Sequence, residues 1–80
     1  MITWDERKRL SNLAKHGLDF GDLTLEFFLG SRVAAGKDDR FKAVGELDGE
    51  SIVVVFRPLG SEALSVISMR RASRKERTLL

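Results

Sequence analysis

The sequence predicts a single α+β domain over residues 1–80, with two N-terminal helices packed on an antiparallel β-meander that ends in a short C-terminal helix. Three observations carry this. Apolar residues recur at helical spacing as far as Gly30. From Ser31 the period becomes two, with turn residues at regular intervals. After the last strand-like run, Ser73 and Glu76 stand at capping-box spacing.

Thr3 to His16 reads as a short strand or extended segment turning into a helix, with Leu10, Leu13 and Ala14 on one stripe and Arg7, Lys8 and Lys15 mostly off it. Either Thr3, with Glu6 three residues on, or Asp5 is the N-cap. Gly17 suits the left-handed position after the helix, where Leu18 can meet Leu13. Asp19 is expected to cap a second helix to about Leu29, with Leu18 and Leu23 as a hydrophobic staple and Phe20, Leu23 and Phe27 at helical spacing; Gly30 ends it.

In the second half, Arg32 to Ala35 is a weak strand. Arg40 to Leu47 alternates with Phe41, Ala43, Gly45 and Leu47 on one face, and Asp48-Gly49 predicts a type I′ hairpin turn. Ser51 to Arg57 is nearly continuous in β-branched and apolar residues, as a central strand covered on both faces requires, and Pro58 to Ser61 supplies the next turn. A strand from Ala63 to Met69 then leads into the arginines, and a helix is expected from Ser73 to the C-terminus.

Composition narrows the function. An apolar share of 42% and a charged share of 32% describe a globular chain, small enough that its stability without a partner should be modest. No apolar run approaches the roughly 20 residues of a membrane span and the N-terminus lacks a signal-peptide layout, so a cytoplasmic location without membrane contact is expected. The absence of cysteine and the single histidine argue against a zinc site or a thiolate nucleophile, and no metal or cofactor is expected. Charge is unevenly placed: Gly17 to Glu50 holds eight acids and four bases, whereas Arg57 to Leu80 holds six bases and two acids. The last third is thus the cationic part, the footprint of a phosphate-bearing or acidic partner.

Trp4-Asp5-x-x-Lys8-x-x-x-Asn12-x-x-Lys15-His16-Gly17 resembles the N-terminal signature of the BrnT family of toxins. Further marks follow in order: Phe20 after a Leu-Asp pair, a Phe-containing second helix, Arg40-Phe41-x-x-x-Gly45, a valine-rich strand, and Ile67-Ser68-x-Arg70-Arg71-Ala72-Ser73-x-x-Glu76-Arg77. Two departures are Met69, where a small residue is common, and the short stretch after Arg77, which shortens the terminal helix. The resemblance implies a RelE-like fold and a ribonuclease that arrests growth by degrading RNA. It also implies neutralisation by a BrnA-type antitoxin carrying a DNA-binding segment, so that DNA is met only through the complex.

RNA cleavage without a metal needs a base for the 2′-hydroxyl, cationic donors for the phosphorane-like transition state and an acid for the leaving oxygen. Arg70 and Arg71 follow an alternating strand and should point to opposite sides; Arg70 is the chosen phosphate ligand, joined by Arg74 from the next helix. The bland alternative is a solvated basic surface or salt bridges to the acidic middle segment. His16 is the natural acid–base candidate, although a histidine in a helix's last turn is also explained by the macrodipole. Lys8 and Lys15 share a helix face, and Arg40, Arg57 and Arg71 complete the candidate RNA contacts; each also suits solvated surface. Glu76 is explained by the capping box, Trp4 and Phe41 by core packing rather than base stacking, Asp5 as a cap and Asn12 as a helix-surface hydrogen bonder. The rival function is a non-catalytic module that sequesters the antitoxin or contributes to nucleic-acid binding.

Overall fold

A computed structural model, describing residues 1–79, gives the order β1 (Ile2–Trp4), α1 (Glu6–His16), α2 (Leu25–Leu29), β2 (Arg32–Ala35), β3 (Phe41–Leu47), β4 (Glu50–Leu59), β5 (Ala63–Arg71) and α3 (Arg74–Arg77), with a 3-10 turn Phe20–Asp22 between α1 and α2. The α+β class and the antiparallel meander of β2 to β5 are as expected. The sheet as a whole is mixed, however, in the order β1-β5-β4-β3-β2, because β1 runs parallel to β5. Direction follows from what comes next: β1 pairs Ile2 to Leu64 and Trp4 to Val66, and α1 then continues along the same edge of β5 as far as Arg71.

Asp5 settles the cap of α1, its carboxylate accepting from Arg7 N–H at 2.8 Å, while the Thr3 hydroxyl donates to Leu64 O in the sheet. Gly17 ends the helix at φ 69°, donating to Leu13 O. The expected apolar stripe of α1 does not face the core. Leu10 is 52% exposed and Leu13 also meets solvent, whereas Asn12 is buried at 7% exposure. Its carboxamide accepts from Met69 N–H at 3.0 Å and donates to Met69 O at 2.9 Å and Leu18 O at 3.2 Å. Asn12 is therefore no surface residue: beyond the end of β1 it replaces a neighbouring strand on the open edge of β5.

The expected second helix is broken. Asp19 caps only the 3-10 turn, accepting from Gly21 N–H, and Leu23 is extended at φ −71° and ψ 140°. Thr24 then caps α2 through Phe27 N–H, offering the backbone an alternative to a continuous helix. Phe20, Leu23 and Phe27 nonetheless enter one core with Ala43, Ile52, Val54, Phe56, Val66 and Met69. Trp4 packs edge-on to Phe20 and Phe41 stacks on Phe56, so both aromatics are spent on packing. The Asp48-Gly49 turn has the positive φ values expected, 51° and 81°. Pro58 lies inside β4 rather than in a turn, past the Phe41–Phe56 pair that ends the β3 ladder, where its missing N–H costs no bond on that side. The turn is formed instead around Gly60 at φ 67°.

Register sorts the sheet into two faces. Phe41, Ala43 and Gly45 share the helix-covered face with Phe56, Val54 and Ile52. Lys42 and Val44 share the reverse face with Val55 and Val53, and the β4–β5 pairs extend it to Ser68 and Arg70. Of the helices, α3 contributes to this reverse side through Glu76, which binds Lys42 and Arg70. The expected terminal helix ends at Arg77, and Leu80 lies outside the described residues.

Candidate nucleic-acid interface

Strand alternation separates the two adjacent arginines. Arg70, opposite Val53, belongs to the reverse face; Arg71, opposite Ile52, turns the other way. The Arg71 guanidinium binds Glu50 at 2.9 Å and His16 O at 3.0 Å, so a carboxylate from the acidic middle segment and the free end of α1 hold it. The Arg70 guanidinium forks onto Glu76, with Nη1–Oε1 at 2.8 Å and Nη2–Oε2 at 2.7 Å. Lys42 Nζ reaches the same Oε2 at 3.2 Å. Glu76 also closes the capping box with Ser73 as expected. The Arg70 fork, aided by Ser73 and Lys42, holds its carboxyl well below the ordinary carboxylate range against the opposing effect of burial. The same pair raises Arg70.

A second basic cluster lies where α1 meets β5. A groove of about 320 Å³ gathers Arg7, Lys8, Lys15 and His16 beside Asn12 and Ser68. Three predicted residues, Lys8, Lys15 and His16, are thereby brought together. Ser68 links this groove to the reverse face, where it stands opposite Val55, two residues or roughly 7 Å along β5 from Arg70.

The remaining predicted residues are more dispersed. Arg57 is exposed opposite Ser65, at the end of the reverse face away from α3. Arg40 is half-buried and closes the β2–β3 hairpin, its N–H donating to Lys37 O and its carbonyl accepting from Gly36 N–H. Among the described residues its buried Nε has no hydrogen-bond partner. Arg40 precedes Phe41 and Arg57 follows Phe56, so both flank the Phe41–Phe56 pair that ends the β3–β4 ladder. Arg74 is exposed in α3, and the carboxylate that Arg70 binds from that helix is Glu76. Lys42 joins the site without having been expected from the sequence. Its alternation with Phe41 and Ala43 put it on a polar face, but its meeting with Glu76 depends on the β3–β4–β5 register.

This arrangement can grip phosphate. It offers an arginine fork and lysine on rigid strands, a basic groove alongside, and an imidazole in that groove. Among the described residues no cluster of three or more His, Asp or Glu side chains could hold a metal ion, and no helix is long and apolar enough to cross a membrane.

The fold and the sheet's reverse face define a small α+β domain carrying a cluster of cationic side chains, and comparison with known proteins makes the class specific. Residues 4–76 match the family described as "Ribonuclease toxin, BrnT, of type II toxin-antitoxin system". The chain belongs to this family of ribonuclease toxins, a class that acts on RNA and is paired with an antitoxin. The crystal structure of the Brucella abortus ribonuclease toxin BrnT is similar over 91% of this chain and 96% of that one, with 61% sequence identity and a TM-score of 0.86. No curated protein matched in the corresponding sequence comparison.

Proposed function

We propose that the chain is a RelE-like, metal-independent endoribonuclease that cleaves RNA on the reverse sheet face, arrests growth and is neutralised in the cytoplasm by a BrnA-type antitoxin. The antitoxin carries the DNA-binding segment, so the toxin meets DNA only in the complex. One observation supports this reading: Arg70 forks onto an anionic group, the Glu76 carboxylate, on the reverse face, two residues along β5 from Ser68, which lines the groove that holds His16. In the proposed roles, Arg70 binds and stabilises the scissile phosphate, with Arg74 joining it from α3. His16 transfers protons from the groove, while Lys8, Lys15, Arg40 and Arg57 track the RNA backbone. Arg71, although tied to Glu50 and the end of α1, is exposed and joins these backbone contacts.

Induced expression of the unaltered chain beside Arg70→Ala and His16→Ala variants tests the assignment, with growth and RNA integrity scored together. Arg70→Ala should relieve both effects while its thermal transition remains cooperative; undiminished toxicity in both variants would remove these residues from the mechanism. The occupation of Arg70 by Glu76 favours one rival, a domain that binds its antitoxin without cleaving. Purified, antitoxin-free protein that leaves RNA intact yet forms a tight complex would establish the rival.

A further inference from the structure

Lys42 and Arg70 come from strands separated by β4 and converge on one carboxylate through three contacts of 2.7, 2.8 and 3.2 Å. Two cations around one anion leave the cluster a formal net charge of +1. The arginine fork fits carboxylate and phosphate alike, and lysine adds a point charge to either. The bound carboxylate belongs to α3, a four-residue helix with no buried residue. Ser73 holds Glu76 by the reciprocal capping bonds, at 2.8 and 3.2 Å, but little packing holds the helix itself. The anion in this pocket is therefore carried on a light, displaceable element, whereas its cationic walls stand on the central sheet.

We propose that Lys42 and Arg70 form a phosphate-binding pocket that the chain fills with its own Glu76 carboxylate, and that an RNA phosphodiester enters by displacing Glu76 together with α3. The inference rests on the phosphate-binding role proposed above for Arg70 and adds two residues to it. Lys42 is a direct phosphate ligand. Glu76 is a positioning residue and an internal competitor, screening the repulsion between the two cations and holding them aligned until substrate replaces it. Binding is an exchange of anions, so its strength reflects the difference between two ion-paired states.

The test is titration of the full chain with inorganic phosphate, followed by the side-chain NMR signals of Arg70 and Lys42. Glu76→Gln keeps the shape and an oxygen for Ser73 N–H but gives up the charge. It should bind phosphate about tenfold more tightly than the unaltered chain, a change equal to about 1.4 kcal/mol. Adding Lys42→Met should abolish most of that gain. Equal affinity in the unaltered and Glu76→Gln chains overturns the proposal, as does a gain that survives Lys42→Met. If Glu76→Gln fails to fold, the unaltered chain decides: saturating phosphate must shift the Arg70, Lys42 and Glu76 side-chain signals together, and a response lacking any of the three overturns the pocket. RNA cleavage measured in parallel separates this inference from the function it rests on. Tighter phosphate binding with no cleavage by the unaltered chain supports the pocket and removes the ribonuclease reading. Cleavage without the phosphate gain removes the pocket alone.

Discussion

At the scale of single residues, Asn12 does the work of a peptide unit. One carboxamide serves both backbone groups of Met69, 57 positions away in sequence, and also caps Leu18 O. Asn12→Ala would leave buried donors and acceptors unmatched, and we expect a loss of about 2–4 kcal/mol in unfolding free energy. Urea denaturation measures it; a loss below about 0.5 kcal/mol, the range of ordinary surface substitutions, would contradict this account. The spacing of Asn12 in α1 was legible in the sequence, but its burial was not, because an asparagine's partner across the fold leaves no local trace. The role of Lys42 is hidden for the same reason, its partner Glu76 lying 34 positions away. The opposed directions of Arg70 and Arg71, by contrast, followed from strand alternation alone.

At the scale of elements, α1 shows why an apolar stripe can mislead. The helix lies along the edge of β5, where the sheet presents N–H and C=O groups rather than an oily surface, so polar Asn12 faces inward and Leu10 outward. Periodicity located the helix and could not select its buried side. The break in the second helix is not encoded locally, because the competition between continuing the helix and capping at Thr24 depends on fit to the core. Locally encoded features were readable: Gly17, the Asp48-Gly49 turn and the Ser73–Glu76 box all stand where spacing put them. One contact between elements gives a sharp prediction. A Cβ at Gly45 of β3 would lie 3.0 Å from the Phe27 ring of α2 and 3.1 Å from Ser31 Cβ. Gly45→Ala should therefore force α2 outward and cost about 1–3 kcal/mol, lowering the midpoint of thermal unfolding. An unchanged or raised midpoint would show that α2 yields freely.

Over the whole molecule, ion pairs join distant parts of the chain, and several carboxylates are shifted in one direction. Glu6 is lowered to about 2, chiefly by Arg9 and then by the Trp4 indole. Asp19 is lowered by Gly21 N–H and then by Arg9, and Glu76 is lowered mainly by Arg70. Carboxyls depressed in the folded state stabilise it fully above their unfolded values, 4.5 for the two glutamates and 3.8 for Asp19, and lose that contribution as pH falls through the folded value. The thermal midpoint should thus hold from neutrality to about pH 5 and fall between about pH 4.5 and 2. Salt should blunt the Glu6 part, which is exposed. A midpoint constant down to pH 2.5 would refute the linkage. The edge of β5 has a further consequence, for the order of assembly. Its first half is sealed by β1, whose Thr3 bonds to Leu64 from 61 residues away, and its second half by Asn12. β1 can thus complete its pairing only with a strand that follows it by 61 positions in the chain. Closing so long a loop is slow, which makes β1 docking a natural late step in folding. Until it happens, Leu64 to Val66 offer an unpaired ladder to any other chain, so a chain whose β1 is slow to dock should aggregate more readily during refolding.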